Sequence, residues 1–239
     1  DRGDEELAVA AETWGEQLRS AGVDADLAPV ADVVPDSWVE VNQPIGRLDR
    51  GYGPDVDRVA GKVRAFVRGM DRAGVATAVK HFPGLGRVRG NTDFTARVVD
   101  RETTRNDPTL AGFAAAVDAD VDLVMMSSAT YAEIDPDHRA AFSSMIITGM
   151  VRDQLGFQRV VISDDLAAAA VQDLDLGQRA SRFLRAGGDL MIVGDPSVAR
   201  AMADAVRERA EDDERFAARL RDAVTRVLTL KDRRGLADC

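Results

Sequence analysis

Apolar residues recur at helical spacing over residues 4–21, with Leu7, Ala8, Ala11 and Leu18 on one side, Glu5, Glu6, Glu12 and Glu16 among the others, and Gly22 as the stop. A strand is predicted over Asp26–Val33, ending near Asp32. A long polar loop follows, holding Trp38, Asn42, Pro44, Gly46, Arg47, Arg50, Gly51, Tyr52 and Gly53; loops of that length in compact domains usually serve a function. Pro54 is placed at the start of the next helix, where its missing N–H costs nothing, and Val56, Val59, Ala60, Val63, Phe66, Val67 and Met70 continue it to Gly74. Val75–Val79 reads as a buried strand ending in Lys80-His81, then breaking into a loop with Pro83, Gly84, Gly86 and Gly90-Asn91-Thr92-Asp93.

Beyond a charged segment, Pro108 opens a helix through Phe113 and Val117, and Leu123–Ser128 forms a strand. A loop with Tyr131, Asp135, Pro136 and His138 leads to a helix over Ser143–Leu155. Val160–Ser163 is a β-branched strand that stops at Asp164-Asp165-Leu166. A helix over Leu176–Ala186, a strand over Leu190–Val193 and two more helical patterns complete the chain to about Lys231. Continuously apolar strands separated by helices specify an α/β fold with a parallel sheet. Polar residues close nearly every strand (Asp32, Lys80-His81, Ser127-Ser128, Asp164-Asp165, Asp195), which favours a TIM-type (β/α) barrel, whose strand ends converge on one mouth, over an open doubly wound sheet. Five strands do not close a barrel of eight. With Asp1 rather than Met at the start, this predicts an incomplete barrel whose first strand-helix units, with any export or anchoring segment, lie upstream.

With 239 residues, 45% hydrophobic and 30% charged, the chain has the balance of one packed domain over 1–239 and not of a disordered or fibrous protein. Its net charge of -10 argues against a nucleic-acid partner. No apolar run is long enough for a membrane span. Cys239 is the sole cysteine, which excludes an internal disulfide and a cysteine-rich metal site. The compartment is left open.

Asp164 follows its strand without an intervening turn, so it stands at the barrel mouth, where a carboxylate acts as nucleophile, base or metal ligand. The competing reading is a cap for the next helix, a task better suited to Asp165. Lys80 fits either a Schiff base or a hydrogen bond to a substrate hydroxyl. His81 alone is more often structural than catalytic. Neither histidine falls in an H-E-x-x-H spacing and no phosphate-binding glycine motif is complete, so metal and nucleotide readings are weak.

Two segments resemble a known family. Lys80-His81-Phe82-Pro83-Gly84 with Gly86, and Ile162-Ser163-Asp164-Asp165-Leu166, look like the hallmark segments of family 3 glycoside hydrolases, and more narrowly of the single-domain β-N-acetylhexosaminidases that remove N-acetylglucosamine from peptidoglycan fragments. Ala28–Val33, Pro44-Ile45-Gly46, Arg50-Gly51-Tyr52-Gly53 and Ala186-Gly187-Gly188-Asp189 match weaker motifs in the same order, so the resemblance covers nearly the whole chain. The family's Asp-x-Glu-Gly-Gly segment has no counterpart. The resemblance implies a TIM-type barrel, no cofactor, a small carbohydrate substrate and a retaining double displacement. On it, Asp164 is the nucleophile, while Arg50, Lys80 and His81 hold the sugar's hydroxyls and acetamido group.

The chain departs from the pattern at one place. Where these hexosaminidases carry Asp-Ser-His, with the histidine as general acid/base, this chain reads Asn91-Thr92-Asp93, and Leu85 replaces a common histidine. Asp93 becomes the acid/base candidate, since a carboxyl whose pKa is raised by burial can protonate a leaving oxygen. His138, in a different loop, is a poor substitute. The alternatives are a carbohydrate-binding barrel with impaired turnover, or a β-glucosidase or phosphorylase of the same family.

Overall fold

The computed structural model describes residues 3–237, so Asp1 and Cys239 lie outside the described residues. Helix α1 (Asp4–Ser20) packs on α2 (Val56–Arg72), and Gly69 makes the close approach possible: a side chain there would meet the Ala8 carbonyl at 2.2 Å. The elements that follow are β1 (Ala25–Asp26), β2 (Ala76–Phe82), β3 (Val99–Asp100), α3 (Ala111–Asp118), β4 (Leu123–Met126), β5 (Thr130–Tyr131), β6 (Asp135–Arg139), β7 (Val160–Asp165), α4 (Leu176–Ala186), β8 (Leu190–Ile192), α5 (Pro196–Asp212) and α6 (Glu214–Arg233). β1, β2, β4, β7 and β8 form one sheet in that order, every pair parallel. Sequential parallel strands with helical crossovers make this the arc of an incomplete TIM-type barrel.

The two faces of the sheet follow the period of two along each strand. Val79, Phe82, Val124, Met126 and Val161 join Val59, Val63, Val67 and Phe113 in the main core under the outer helices. Ala76, Ala78, Leu123, Met125, Val160 and Ile162 form a second cluster on the inner face, closed by Val227 and Leu230 of α6. Helix α6 runs beneath the strands' N-terminal ends. Arg219 donates to the Gly188 carbonyl and to Asp189 ahead of β8, Arg226 to the Gln158 carbonyl ahead of β7, and Arg234 to Asp122 ahead of β4 and to Asp71. The inner face therefore has a floor at one end and a mouth at the other.

The structure departs from the pattern reading in five places. The first strand keeps ladder pairing only at Ala25–Asp26 and one bridge, Val30 to Lys80, because Pro29 offers a carbonyl but no N–H. Helix α2 starts at Val56, with Asp55 rather than Pro54 at the boundary: the Asp55 carboxylate accepts from the Arg58 N–H. Strands β2 and β7 run on past Val79 and Ser163, so Lys80, His81, Asp164 and Asp165 belong to the strands. The segment around Tyr131, Asp135 and His138 is no plain loop: β3, β5 and β6 form a small separate sheet, too polar and too short to show in the hydrophobic pattern. The helix expected over Ser143–Leu155 is wound as a π-helix over Met145–Gln154.

Candidate active site at the strand ends

Alternation along two strands delivers the central pair. Ala76 and Ala78 face inward on β2, and two residues on stands Lys80; Val160 and Ile162 face inward on β7, and two residues on stands Asp164. Their immediate neighbours would face outward in a regular ladder. The β2–β4 pairing shifts register between Val79 and Phe82, and the β7–β8 pairing between Ile162 and Asp165. At each irregularity two consecutive side chains reach the mouth. A hollow of about 140 Å³ results, lined by Arg50, Lys80, His81, Asp93, Asp164 and Asp165, with Leu27, Leu85, Met125 and Ile192 among its apolar walls. The five candidate residues Arg50, Lys80, His81, Asp93 and Asp164 are thus brought together, from two loops and two strands.

His81, Arg50 and Asp164 are held by identifiable partners. His81 is buried, and its Nδ1 lies 2.8 Å from Asp32 Oδ2. Asp32, fully buried, also accepts from the His81 N–H at 3.2 Å and the Leu85 N–H at 2.7 Å. A carboxylate only accepts, so the shared proton belongs on Nδ1 and Nε2 is turned away from Asp32. Asp32 is the partner sequence reading missed; its one signal was a carboxylate closing the preceding strand. Arg50 donates to the Pro44 carbonyl at 3.2 Å. Burial, and after it the Arg50 charge, push Lys80 below the ordinary lysine range, against the pull of Asp164, Asp26 and Asp32.

The two acidic neighbours divide their work. Asp165 Oδ1 accepts from the Ala167 N–H at 2.7 Å and the Gly194 N–H at 2.9 Å, ordering the turn after β7 and tying it to β8. Asp164 Oδ1 accepts the Asp165 N–H at 2.9 Å, which fixes the carboxylate and leaves Oδ2 with no hydrogen-bond partner among the described residues. Asp93 sits at the exposed rim. Its loop is pinned on both sides: the Asp93 N–H donates to Asn91 Oδ1 at 2.9 Å, while the carbonyls of Thr92 and Asp93 accept from Ala170 and Ala169, just beyond β7. Partial burial and then the Asp164 charge raise the Asp93 carboxyl above the ordinary carboxylate range, with His81 and Arg50 opposing.

The loops carrying Arg50 and Asp93 are joined by Asn42, which is fully buried. Its Nδ2 donates to the carbonyls of Leu85 and Val88, and its Oδ1 accepts from the N–H groups of Ile45 and Gly46. Gly86 is required where these loops touch, since a Cβ there would lie 1.7 Å from the Val33 carbonyl oxygen. His138 does not enter the site; it pairs with Asp135 at the far side of the small sheet. Among the described residues no group of three or more His, Cys, Asp or Glu side chains converges as a metal site, and no helix is long and apolar enough to cross a membrane.

Residues 3–230 match the Glycosyl hydrolase family 3 N terminal domain. A beta-hexosaminidase of Xylella fastidiosa is 35% identical over 196 residues, 81% of this chain and 56% of that protein. One from Xanthomonas campestris is 33% identical over 204 residues, 83% of this chain and 58% of that protein. The chain therefore spans a little over half the length of these curated relatives. Among solved structures, a β-N-acetylhexosaminidase from Beutenbergia cavernae superposes with a TM-score of 0.94 at 45% identity, covering 97% of this chain and 69% of that one. A family 3 β-N-acetylglucosaminidase from Paenibacillus gives a TM-score of 0.85 at 29% identity, covering 99% of this chain and 45% of that one.

Proposed function

This chain belongs to glycosyl hydrolase family 3, and from that premise we propose that its strand-end hollow hydrolyses a terminal β-linked N-acetylglucosamine, from cell-wall fragments or short glycans, with retention through a covalent glycosyl-Asp164 intermediate. The observation that carries the reading is the meeting of Asp164 and Asp93 in one hollow with two donors, Arg50 and Lys80, and with the imidazole of His81. The named activity of the relatives, beta-hexosaminidase, supports the choice of sugar.

In the first step the free Oδ2 of Asp164 attacks the anomeric carbon as the bond to the leaving oxygen breaks, and the Asp93 proton passes to that oxygen. In the second, the Asp93 carboxylate takes a proton from water, the water oxygen bonds to the anomeric carbon, and Asp164 departs. Sugar seated over Asp93 strips water from its carboxyl, which works in the same direction as the raised pKa. Lys80, Arg50 and the outward Nε2 of His81 bind hydroxyl and acetamido groups from fixed positions, so the cost of orientation is met before the reaction. Asp32 is a positioning residue that acts through His81.

The test is hydrolysis of an aryl β-N-acetylglucosaminide by the protein and by Asp164→Ala. Turnover in the wild type and a loss of more than about a thousand-fold in the variant is expected of a missing nucleophile. Equal background in both defeats the proposal and leaves a carbohydrate-binding barrel.

A further inference from the structure

We propose that a track of arginines on the flank of the molecule, outside the hollow, holds a linear polyanion whose repeating charge is phosphate, independently of any hydrolysis. Three clefts adjoin there, of about 470, 440 and 510 Å³. Arg97 and Val98 line both the first and the second, while Asp137, His138, Phe142 and Arg182 line both the second and the third, so the three form one continuous groove. Arg87, Arg89 and Arg101 stand at one end of it, Arg139 in its middle and Arg185 at the other end.

The groove runs against the sign of the whole chain, whose net charge is -10: seven arginines line it against four carboxylates, Glu102, Asp135, Asp137 and Asp173. Three of the four are already answered. Arg87 lies 3.9 Å from Glu102 and Arg139 2.6 Å from Asp173, while Asp135 accepts from Ser143 Oγ at 2.6 Å and pairs with His138 Nδ1 at 3.1 Å. Arg89, Arg97, Arg101 and Arg182 are exposed and, among the described residues, form no ion pair. Arg89 lies over the Trp38 ring, 5.5 Å from its centroid, which sets the guanidinium plane. Guanidinium groups gathered without an anion repel one another, so the groove gains from any anion that enters it.

The distribution of the unpaired arginines selects the occupant. Arg89 and Arg101 belong to the first cleft, Arg97 to the wall shared with the second and Arg182 to the wall shared with the third. A single small anion meets one of these places; a flexible chain of charges meets them all and releases its counterions as it does so. A carboxylate offers two oxygens, which one guanidinium fork takes up, whereas a phosphate keeps a further oxygen for a neighbouring arginine. Bases have nothing to stack on, since the Trp38 ring is covered by Arg89 and Phe142 is buried. The partner is therefore a phosphate polymer without bases.

The experiment measures equilibrium binding of long-chain inorganic polyphosphate to the whole chain at several salt concentrations, beside triphosphate, a polyuronate and an oligothymidylate. The polymer is expected to bind about a hundred-fold more tightly than triphosphate, because its phosphates engage several arginines at once. Its affinity should fall steeply as salt is added. The variant carrying Arg97→Gln, Arg101→Gln and Arg182→Gln should lose roughly ten-fold or more, the sum of three exposed ion pairs. A control carrying Arg68→Gln, Arg200→Gln and Arg221→Gln, exposed arginines of α2, α5 and α6, changes the net charge equally and should bind nearly as the wild type does. Asp164→Ala should also bind the polymer undiminished, so the loss of either reading leaves the other standing. No binding by the wild type, triphosphate bound as tightly as the polymer, or equal losses in the two triple variants overturns the proposal. Tighter binding of the oligothymidylate or the polyuronate overturns it too, and reassigns the groove to a nucleic acid or an acidic polysaccharide.

Discussion

Asp93 shows what one side chain gains from its surroundings. A general acid must hold its proton until the leaving oxygen needs it, and partial burial together with the Asp164 charge raises the Asp93 pKa in that direction. The sign follows: kcat/KM for an unactivated disaccharide should fall as pH rises through that raised pKa, because deprotonation removes the donor. Asp93→Asn should lower kcat/KM by about a hundred-fold or more and erase the basic limb of the profile. An aryl glycoside, whose leaving group needs little protonation, should lose far less. A basic limb that persists unchanged in Asp93→Asn would assign the proton to another group. The role proposed for this position was suggested in the sequence only through a resemblance that the chain itself breaks; its placement beside Asp164 required the backbone bonds from Ala169 and Ala170.

At the scale of strands and loops, much could be read from spacing. Alternation alone carries Ala76, Ala78 and Lys80 to one face, and Val160, Ile162 and Asp164 to the same face of the neighbouring region. What spacing does not encode is the register shift that adds His81 and Asp165, since that depends on the partner strand. The small sheet of β3, β5 and β6 was illegible for a related reason: its strands are two to five residues long and lack alternation. Asn42 looked like any polar loop residue, yet it ties two loops together with four hydrogen bonds from a buried side chain. Asn42→Ala strands two carbonyls and two N–H groups. The expected cost is about 3 kcal/mol in a urea titration, with a raised KM because the loops bearing Arg50 and Asp93 lose their common anchor. A loss under about 0.5 kcal/mol would mean that water replaces the side chain.

Across the whole molecule, the division between mouth and floor separates the proposed reaction site from a buried ion-pair cluster that holds the strands' beginnings. Asp189, which the sequence offered only as part of a weak motif, lies on the floor with its side chain fully buried. It is paired with Arg152 at 2.5 Å, Arg219 at 2.6 Å and Arg226 at 3.4 Å, and it accepts the Val161 N–H. Asp189→Ala leaves buried guanidinium charge uncompensated and should cost about 3–5 kcal/mol in denaturant unfolding. The folded fraction should keep its kcat/KM, since the hollow lies at the opposite end; a folded variant with impaired turnover would contradict that separation. The α6 staples reach from Asp189 through Gln158 to Asp122 and Asp71, across the beginnings of three strands and the end of α2. During synthesis every one of those strands leaves the ribosome well before Arg234 does. The newborn sheet therefore has Arg152 on Asp189 along its lower edge from the start, but the α6 arginines can staple it only after the last strand has been made.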